Sequence, residues 1–197
     1  MQERSNASAW ETERLHLRSP SLDDIDAIIA YVTENREHLA PWEPRRGPAY
    51  FTRAHLEPVV AAQIDRIHEG ERASWLIREQ GAAESTDPIV GICTLDPISR
   101  GPFQNGVLGY SLAARVVGRG YMSEAIRSVI ARAFGPLDLH RIEANVRPEN
   151  ERSLALLERL GFVREGFSPR YLHIDGDWRD HIRTALLRDV APGSGSS

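Results

Sequence analysis

A single cysteine, Cys93, stands in the 197 residues, so the chain cannot close an internal disulfide. No apolar run approaches the ~20 residues that a membrane-spanning helix requires. Residues 1–9 lack the basic start and apolar stretch of a signal peptide, and a cytoplasmic location with no membrane partner is therefore expected. Basic charge is also in short supply: 24 Lys and Arg face 28 Asp and Glu, a formal net charge of -4. Holding nucleic acid through bulk charge needs a basic face to neutralise phosphates, so direct nucleic-acid binding is not expected and a basic acceptor suits the chain better. The seven histidines show no paired spacing of the His-Glu-x-x-His kind, so no metal site is expected.

What is present is a chain with 41% hydrophobic residues, enough for one sizeable core without metals or cross-links. Leu15 and Leu17 alternate with charged neighbours as on a half-buried strand, and Ser21 with Asp24 three residues later has the form of a capping box opening a helix. Ile25, Ile28, Ile29 and Val32 line one face of that helix, and Pro41-Trp42-Glu43-Pro44 must be a loop. Leu56, Val59, Val60, Ile64 and Ile67 predict a second helix ended by Gly70. Strands are predicted over 74–78, 89–95 and 106–112 as an antiparallel meander.

Beyond Gly120 the apolar period becomes helical through Met122, Ala125, Ile126, Val129, Ile130 and Ala133, until Gly135-Pro136. A strand over 141–146 and a short helix capped by Asn150 follow, then two strands joined at Asp175-Gly176. The order is β-α-α-β-β-β-α-β-α-β-β in one domain over 12–188, with residues 1–11 and 189–197 expected to be flexible ends.

The chemistry concentrates where Gly109-Tyr110-Ser111-Leu112 leads through Val117 into Gly118-Arg119-Gly120-Tyr121 and the long helix. Strand, glycine loop and helix start form an anion site: glycine admits a phosphate close to the backbone, and unpaired N–H groups attract it. By itself a Gly-x-Gly is as readily a tight turn. One strand later stands Asn150-Glu151-Arg152-Ser153, followed by Leu156, Leu160, Gly161 and Phe162.

These two segments together resemble the acyl-CoA-binding motifs of the GNAT N-acetyltransferase superfamily, and the element order resembles that family over nearly the whole chain. Trp42-Glu43-Pro44, His140-Arg141-Ile142 and the run Ile174 to His181 are most similar to the branch that acetylates ribosomal-protein S5 at its terminal alanine. The resemblance implies an α+β GNAT fold: a mixed, mostly antiparallel twisted sheet of about seven strands, helices on both faces, and a splayed parallel pair at the acyl-CoA site. It implies acetyl-CoA as co-substrate, with no metal, held by Ser111, Leu112, Val117, Gly118, Arg119, Gly120, Tyr121, Met122 and Asn150. The family loop usually reads Gln/Arg-x-x-Gly-x-Gly/Ala, so Val117 and Met122 depart from it; main-chain N–H groups carry most of such a site, and Arg115 or Arg119 would compensate.

Ser153 is implied as the group that hydrogen-bonds or protonates the departing thiolate, although it could equally be a second capping hydroxyl. Relatives place a glutamate where Asn145 stands and a tyrosine where Leu157 stands, so neither base nor acid transfers from them. Asn145 would orient water or the amine. Glu143 shares its strand face, as candidate base or as half of an ion pair. Acceptor contacts are implied for Trp42, Glu43, Tyr110, Tyr171, Asp175 and Trp178, taking a basic protein N-terminus or a small amine. A monomer or homodimer is expected. Three other readings stay open: a small-molecule amine acetyltransferase, a non-catalytic acyl-CoA sensor, and a hydrolase in which Gly109 to Ala113 forms a nucleophile elbow. The last conflicts with Gly118 and Gly120, which would break the helix that such an elbow needs.

Overall fold

The computed structural model describes residues 9–82 and 85–188. The strands are β1 (Ala9–Glu11), β2 (Leu15–Arg18), β3 (Ala73–Glu79), β4 (Gly91–Ser99), β5 (Asn105–Leu112), β6 (Arg141–Val146), β7 (Val163–Ile174) and β8 (Asp177–Leu187). They join in one eight-stranded sheet in the order β1-β2-β3-β4-β5-β6-β8-β7. Every neighbouring pair is antiparallel except β5 with β6. The count exceeds the expected seven because Ala9–Glu11 pairs with β2 as an edge strand, where a flexible end was expected. The rest of both expected flexible ends, 1–8 and 189–197, lies outside the described residues.

The helices are α1 (Ile25–Glu34), α2 (Arg36–Leu39), α3 (Arg53–His68), α4 (Tyr121–Phe134) and α5 (Glu151–Arg159). In β2 the predicted alternation holds, with Leu15 and Leu17 fully buried and His16 and Arg18 half-buried. In β3 six consecutive residues are buried, which requires cover on both faces of the sheet. The α4 stripe read from the sequence is buried throughout, and Gly135 caps the helix. Gly70 stops α3 by taking a positive φ of 76°, and Asp175 and Gly176 turn the β7–β8 hairpin with φ of 49° and 80°.

Cys93 is fully buried on β4, its thiol pushed up to about 12 by burial and lying 3.7 Å from the Met122 sulfur. It packs and has no acid–base part. Ser21 and Asp24 do form the capping box, yet Asp24 also serves a purpose that the sequence does not suggest. Its carboxylate is fully buried, takes two hydrogen bonds from Arg18, and holds the fully buried Arg78 guanidinium of β3 at 2.9 Å. Burial alone would raise its pKa; the bonds from Arg18 and Ser21 overcome this and hold it below the usual carboxylate range. Asp24→Ala should therefore cost about 3–5 kcal/mol in urea unfolding, because it strands a buried guanidinium. A loss below 1 kcal/mol would show that Arg78 finds water or another acceptor.

The site is set by β5 and β6. Parallel pairing runs through Asn105 with Arg141, Gly106 with Ile142 and Val107 with Glu143, and no registered pair follows. Beyond Val107 the strands part, which leaves the edge of β5 from Leu108 to Leu112 facing a cleft while β4 covers its other edge.

Candidate active site

The cleft between the parted strands is a cavity of about 520 Å³ whose walls include Tyr31, Glu43, Tyr110, Asn145, Ser153 and His181. Tyr110 reaches across from β5 to α5, its hydroxyl 2.6 Å from Ser153 Oγ. Burial pushes the Tyr110 phenol up to about 12, against the opposing pull of the Ser153 hydrogen bond. Ser153 stands in the first turn of α5, where its backbone N–H donates to Asn150 Oδ1 at 3.1 Å. The cap is thus made by Asn150, as predicted, and the Ser153 hydroxyl is left to the cavity side. Ser111, next along β5, is bonded at 2.8 Å to the hydroxyl of Tyr31 on α1. Asn145 Oδ1, on β6 opposite, is shielded from water and has no hydrogen-bond partner among the described residues. A buried amide oxygen in that state is an acceptor waiting for a donor.

At the far end of β5 the chain turns through Gly118 and Gly120, at φ of 88° and 79°, into α4. Gly120 is the N-cap and no side chain caps the helix there, so the first-turn N–H groups face outward. The loop is exposed from Gly118 to Gly120 and Val117 is half-buried. It is braced from outside: Arg14 donates to the Arg119 carbonyl at 2.9 Å, to Glu124 at 2.7 Å, and lies 5.0 Å from the Tyr121 ring centre. The Tyr121 hydroxyl donates to Glu79 at 2.8 Å, and Arg119 approaches the same carboxylate at 3.7 Å. The off-pattern Met122 points its side chain into the core against Cys93 and can offer a ligand only its backbone. Arg115 donates instead to the Ile89 carbonyl at 3.3 Å. The splayed edge, the uncapped helix start and the hydroxyl pair fit an acyl-CoA thioester with its pyrophosphate at the glycines.

Several sequence-predicted residues stand elsewhere. Glu143 lies in the last registered pair of β5 and β6 and is not a wall of the cavity; it is bound to Arg141 at 2.8 Å, and two residues of strand, about 6.6 Å, separate it from Asn145. Arg141 is shared with Glu165. The ion-pair reading of Glu143 thus prevails over the catalytic one. Trp42 and Glu43 do line the cavity. Asp175 clamps their loop: its N–H donates to the Glu43 carbonyl at 3.1 Å and its carboxylate faces Arg45 at 3.7 Å. Asp177 and Asp180 accept backbone N–H groups of the hairpin itself, at 2.8 Å each. These bonds fix both carboxylates to the hairpin, where they keep their charge. Trp178 is exposed and stacks edge-on with His173, and Tyr171 packs against the His181 ring 5.5 Å away, so neither is a cavity wall.

Four residues escaped the sequence reading. Tyr31 lies beside the predicted apolar stripe of α1 and is buried with Ile25, Ala27 and Ile28, and its hydroxyl gives no periodic signal. Asn35 ties the end of α1 to the segment after β5 by accepting from the Ala114 N–H at 2.9 Å. Arg147 donates to the Pro41 carbonyl and sits 5.5 Å over Trp42, fixing that loop at the cleft. His181 had been read as one isolated histidine; a strand that pairs with β6 carries it into the cavity.

An acetyltransferase (GNAT) domain model matches residues 14–163. The [ribosomal protein uS5]-alanine N-acetyltransferase of Escherichia coli (strain K12) is 37% identical over 190 residues, covering 92% of each chain. Among solved structures, the ribosomal-protein-S5-alanine acetyltransferase of Vibrio fischeri superposes with a TM-score of 0.85 at 34% identity, over 92% of this chain and 97% of that one. Mycobacterium smegmatis RimJ in complex with CoA-disulfide gives 0.84 at 30% identity, over 91% and 85%. With a model spanning most of its length and relatives alike over nine-tenths of it, the chain belongs to the GNAT family of acetyltransferases.

Proposed function

We propose that the protein transfers acetyl from acetyl-CoA to the N-terminal α-amine of a cytoplasmic ribosomal protein that begins with alanine or serine, with residues 12–188 acting as one catalytic domain. The acceptor reading is carried by the full-length likeness to an enzyme named for the uS5 alanine. The pantetheine lies along the free edge of β5, the N–H groups near Ser111 and Leu112 polarise the thioester carbonyl, and Gly118 to Met122 hold the pyrophosphate through their backbone. Val117 and Asn150 flank that path. Trp42, Glu43 and Tyr110 border the place where the amine enters.

The Tyr110–Ser153 pair faces the sulfur. Burial holds the Tyr110 phenol near 12, so it keeps its proton near neutral pH and can donate a hydrogen bond to the departing sulfur. The pair therefore stabilises the leaving thiolate by hydrogen bonding. Ser153→Ala should lower kcat on the order of 10-fold with acetyl-CoA affinity little changed, since a bond to developing charge acts on the transition state. Wild-type kcat would return Ser153 to packing beside the Asn150 cap. The proposal as a whole is tested by CoA release over N-terminal peptides, free amino acids, polyamines and aminoglycosides. Turnover on Ala- or Ser-initiated peptides is expected; turnover on polyamines alone would make it a small-molecule enzyme, and none on any amine would make it a sensor.

A further inference from the structure

The base that accepts the amine proton is absent from the positions where the family resemblance would seek it, and the cavity walls narrow the field. Glu143 is closed off in its ion pair with Arg141. Asn145 does not titrate. Burial raises the phenols of Tyr31, Tyr50 and Tyr110, so none of these phenolates forms near neutral pH. Two titratable groups with suitable chemistry remain on the wall, Glu43 and His181.

His181 is 3% exposed, and its Nδ1 lies 3.0 Å from the Arg179 carbonyl of its own strand. A carbonyl only accepts, so Nδ1 carries the proton and the neutral ring keeps its lone pair on Nε2. The Tyr171 ring packs edge-on 5.5 Å from the imidazole and fixes its tilt. Its charged surroundings are mixed: burial lowers its pKa most, the Arg179 carbonyl raises it, Arg147 lowers it, and Glu149 and Asp180 raise it, with a net downward shift. The ring therefore stays neutral to a lower pH than a free histidine. On the same cavity wall lies Asn145 Oδ1, buried and unpartnered among the described residues. An incoming amine has protons to donate, and these two acceptors share its cavity.

We propose that His181 is the general base of the transfer proposed above: its Nε2 takes one proton of the attacking amine while Asn145 Oδ1 holds another. The nitrogen lone pair forms the C–N bond to the thioester carbon, and the C–S bond breaks with its electron pair going to sulfur. The amine proton passes to Nε2, and the thiolate leaves against the Tyr110–Ser153 hydroxyls and is protonated from water as His181 returns its proton to solvent. A base of lowered pKa suffices because nitrogen becomes strongly acidic as the new bond forms. Glu43 is the rival on the same wall, its carboxyl raised by burial against the pull of Arg46; among the described residues no hydrogen bond orients that carboxylate, whereas the Arg179 carbonyl orients the His181 ring.

His181→Asn preserves a donor for the Arg179 carbonyl and removes the Nε2 lone pair. On an Ala-initiated peptide it should lower kcat/KM roughly 100-fold, the low end for a lost general base, and exogenous imidazole should restore part of the rate. In the wild type, the pH profile of kcat/KM should carry an acid limb below the ordinary histidine value near 6.5, as the downward shift requires. That limb should disappear in His181→Asn and persist in Glu43→Gln. Its loss in Glu43→Gln with retention in His181→Asn would overturn the inference and make Glu43 the base. If His181→Asn fails to fold, nitrogen-15 spectra of the wild type decide instead, since an Nε2–H tautomer at neutral pH rules the role out. Wild-type turnover on the peptide with His181→Asn unimpaired rejects only this base; absence of wild-type turnover on every amine rejects the acetyltransferase reading on which it rests.

Discussion

Gly120→Glu is expected to abolish CoA binding in calorimetry while the protein stays folded. Two physical effects combine. Gly120 caps α4 at φ of 79°, a conformation that costs an L side chain of order 1–3 kcal/mol and shifts the N–H groups following it. The new carboxylate would also stand within about 5 Å of a bound pyrophosphate, where two unit charges repel by roughly 3 kcal/mol at an effective dielectric of 20. Together these exceed the ~2.8 kcal/mol that corresponds to 100-fold in affinity. Gly120→Ala separates the terms: its Cβ meets only the flexible end of Arg14 at 3.4 Å, so it carries the strain without the charge. It should weaken binding by about 10-fold. Unchanged affinity in folded Gly120→Glu would place the pyrophosphate away from the glycine loop altogether.

The acceptor should be discriminated at least as sharply. An α-amine with pKa of about 7.7–8.0 is roughly a tenth or more neutral at pH 7, against about 0.04% for a lysine amine near 10.4. If the enzyme takes the neutral amine and supplies only a weak base, N-formylation of an Ala-initiated basic peptide should reduce the initial rate by about 300-fold even though its lysines remain. The enzyme adds no background of its own, since all 24 of its basic residues are arginine and it carries no lysine side chain to acetylate. Comparable rates on the formylated peptide would overturn the α-amine specificity. A free polyamine outpacing both would move the physiological acceptor to small molecules.

The elements themselves were written locally. Apolar period, glycine stops, the Asn150 cap and the Asp175-Gly176 turn each depend on neighbours a few residues apart, and each reappears in the structure. The edge strand Ala9–Glu11 was missed because three residues carry no period; its existence rests on pairing with β2. The glycine loop was legible for the same local reason: two glycines one residue apart before a helix mark a backbone that turns through positive φ. Met122 belongs to both local patterns: the helical period puts its side chain on the buried face of α4, which leaves the loop only its backbone N–H. The packing of α4 against Cys93 of β4 sets that face.

Function at the level of family followed from motif and element order, because an acyl-CoA site is built from two short segments with fixed local geometry. The pairing of acids and bases did not. Asp24 with Arg78, Tyr110 with Ser153 and Tyr31 with Ser111 join residues 54, 43 and 80 positions apart, and no local pattern encodes such a separation. Glu143 and His181 make the contrast plain. In sequence the glutamate reads as candidate base or as half of an ion pair, and the histidine as an isolated side chain. Tertiary packing then tied Glu143 to Arg141 off the cavity wall, while the β6–β8 ladder brought His181 and Asn145 to one cavity. Sequence alone determined which elements form and which cofactor they can hold, since both are short-range properties of the chain. Tertiary structure decided which side chains meet in the cleft, because burial and partner charge, which set a group's protonation and reach, exist only once distant strands have come together.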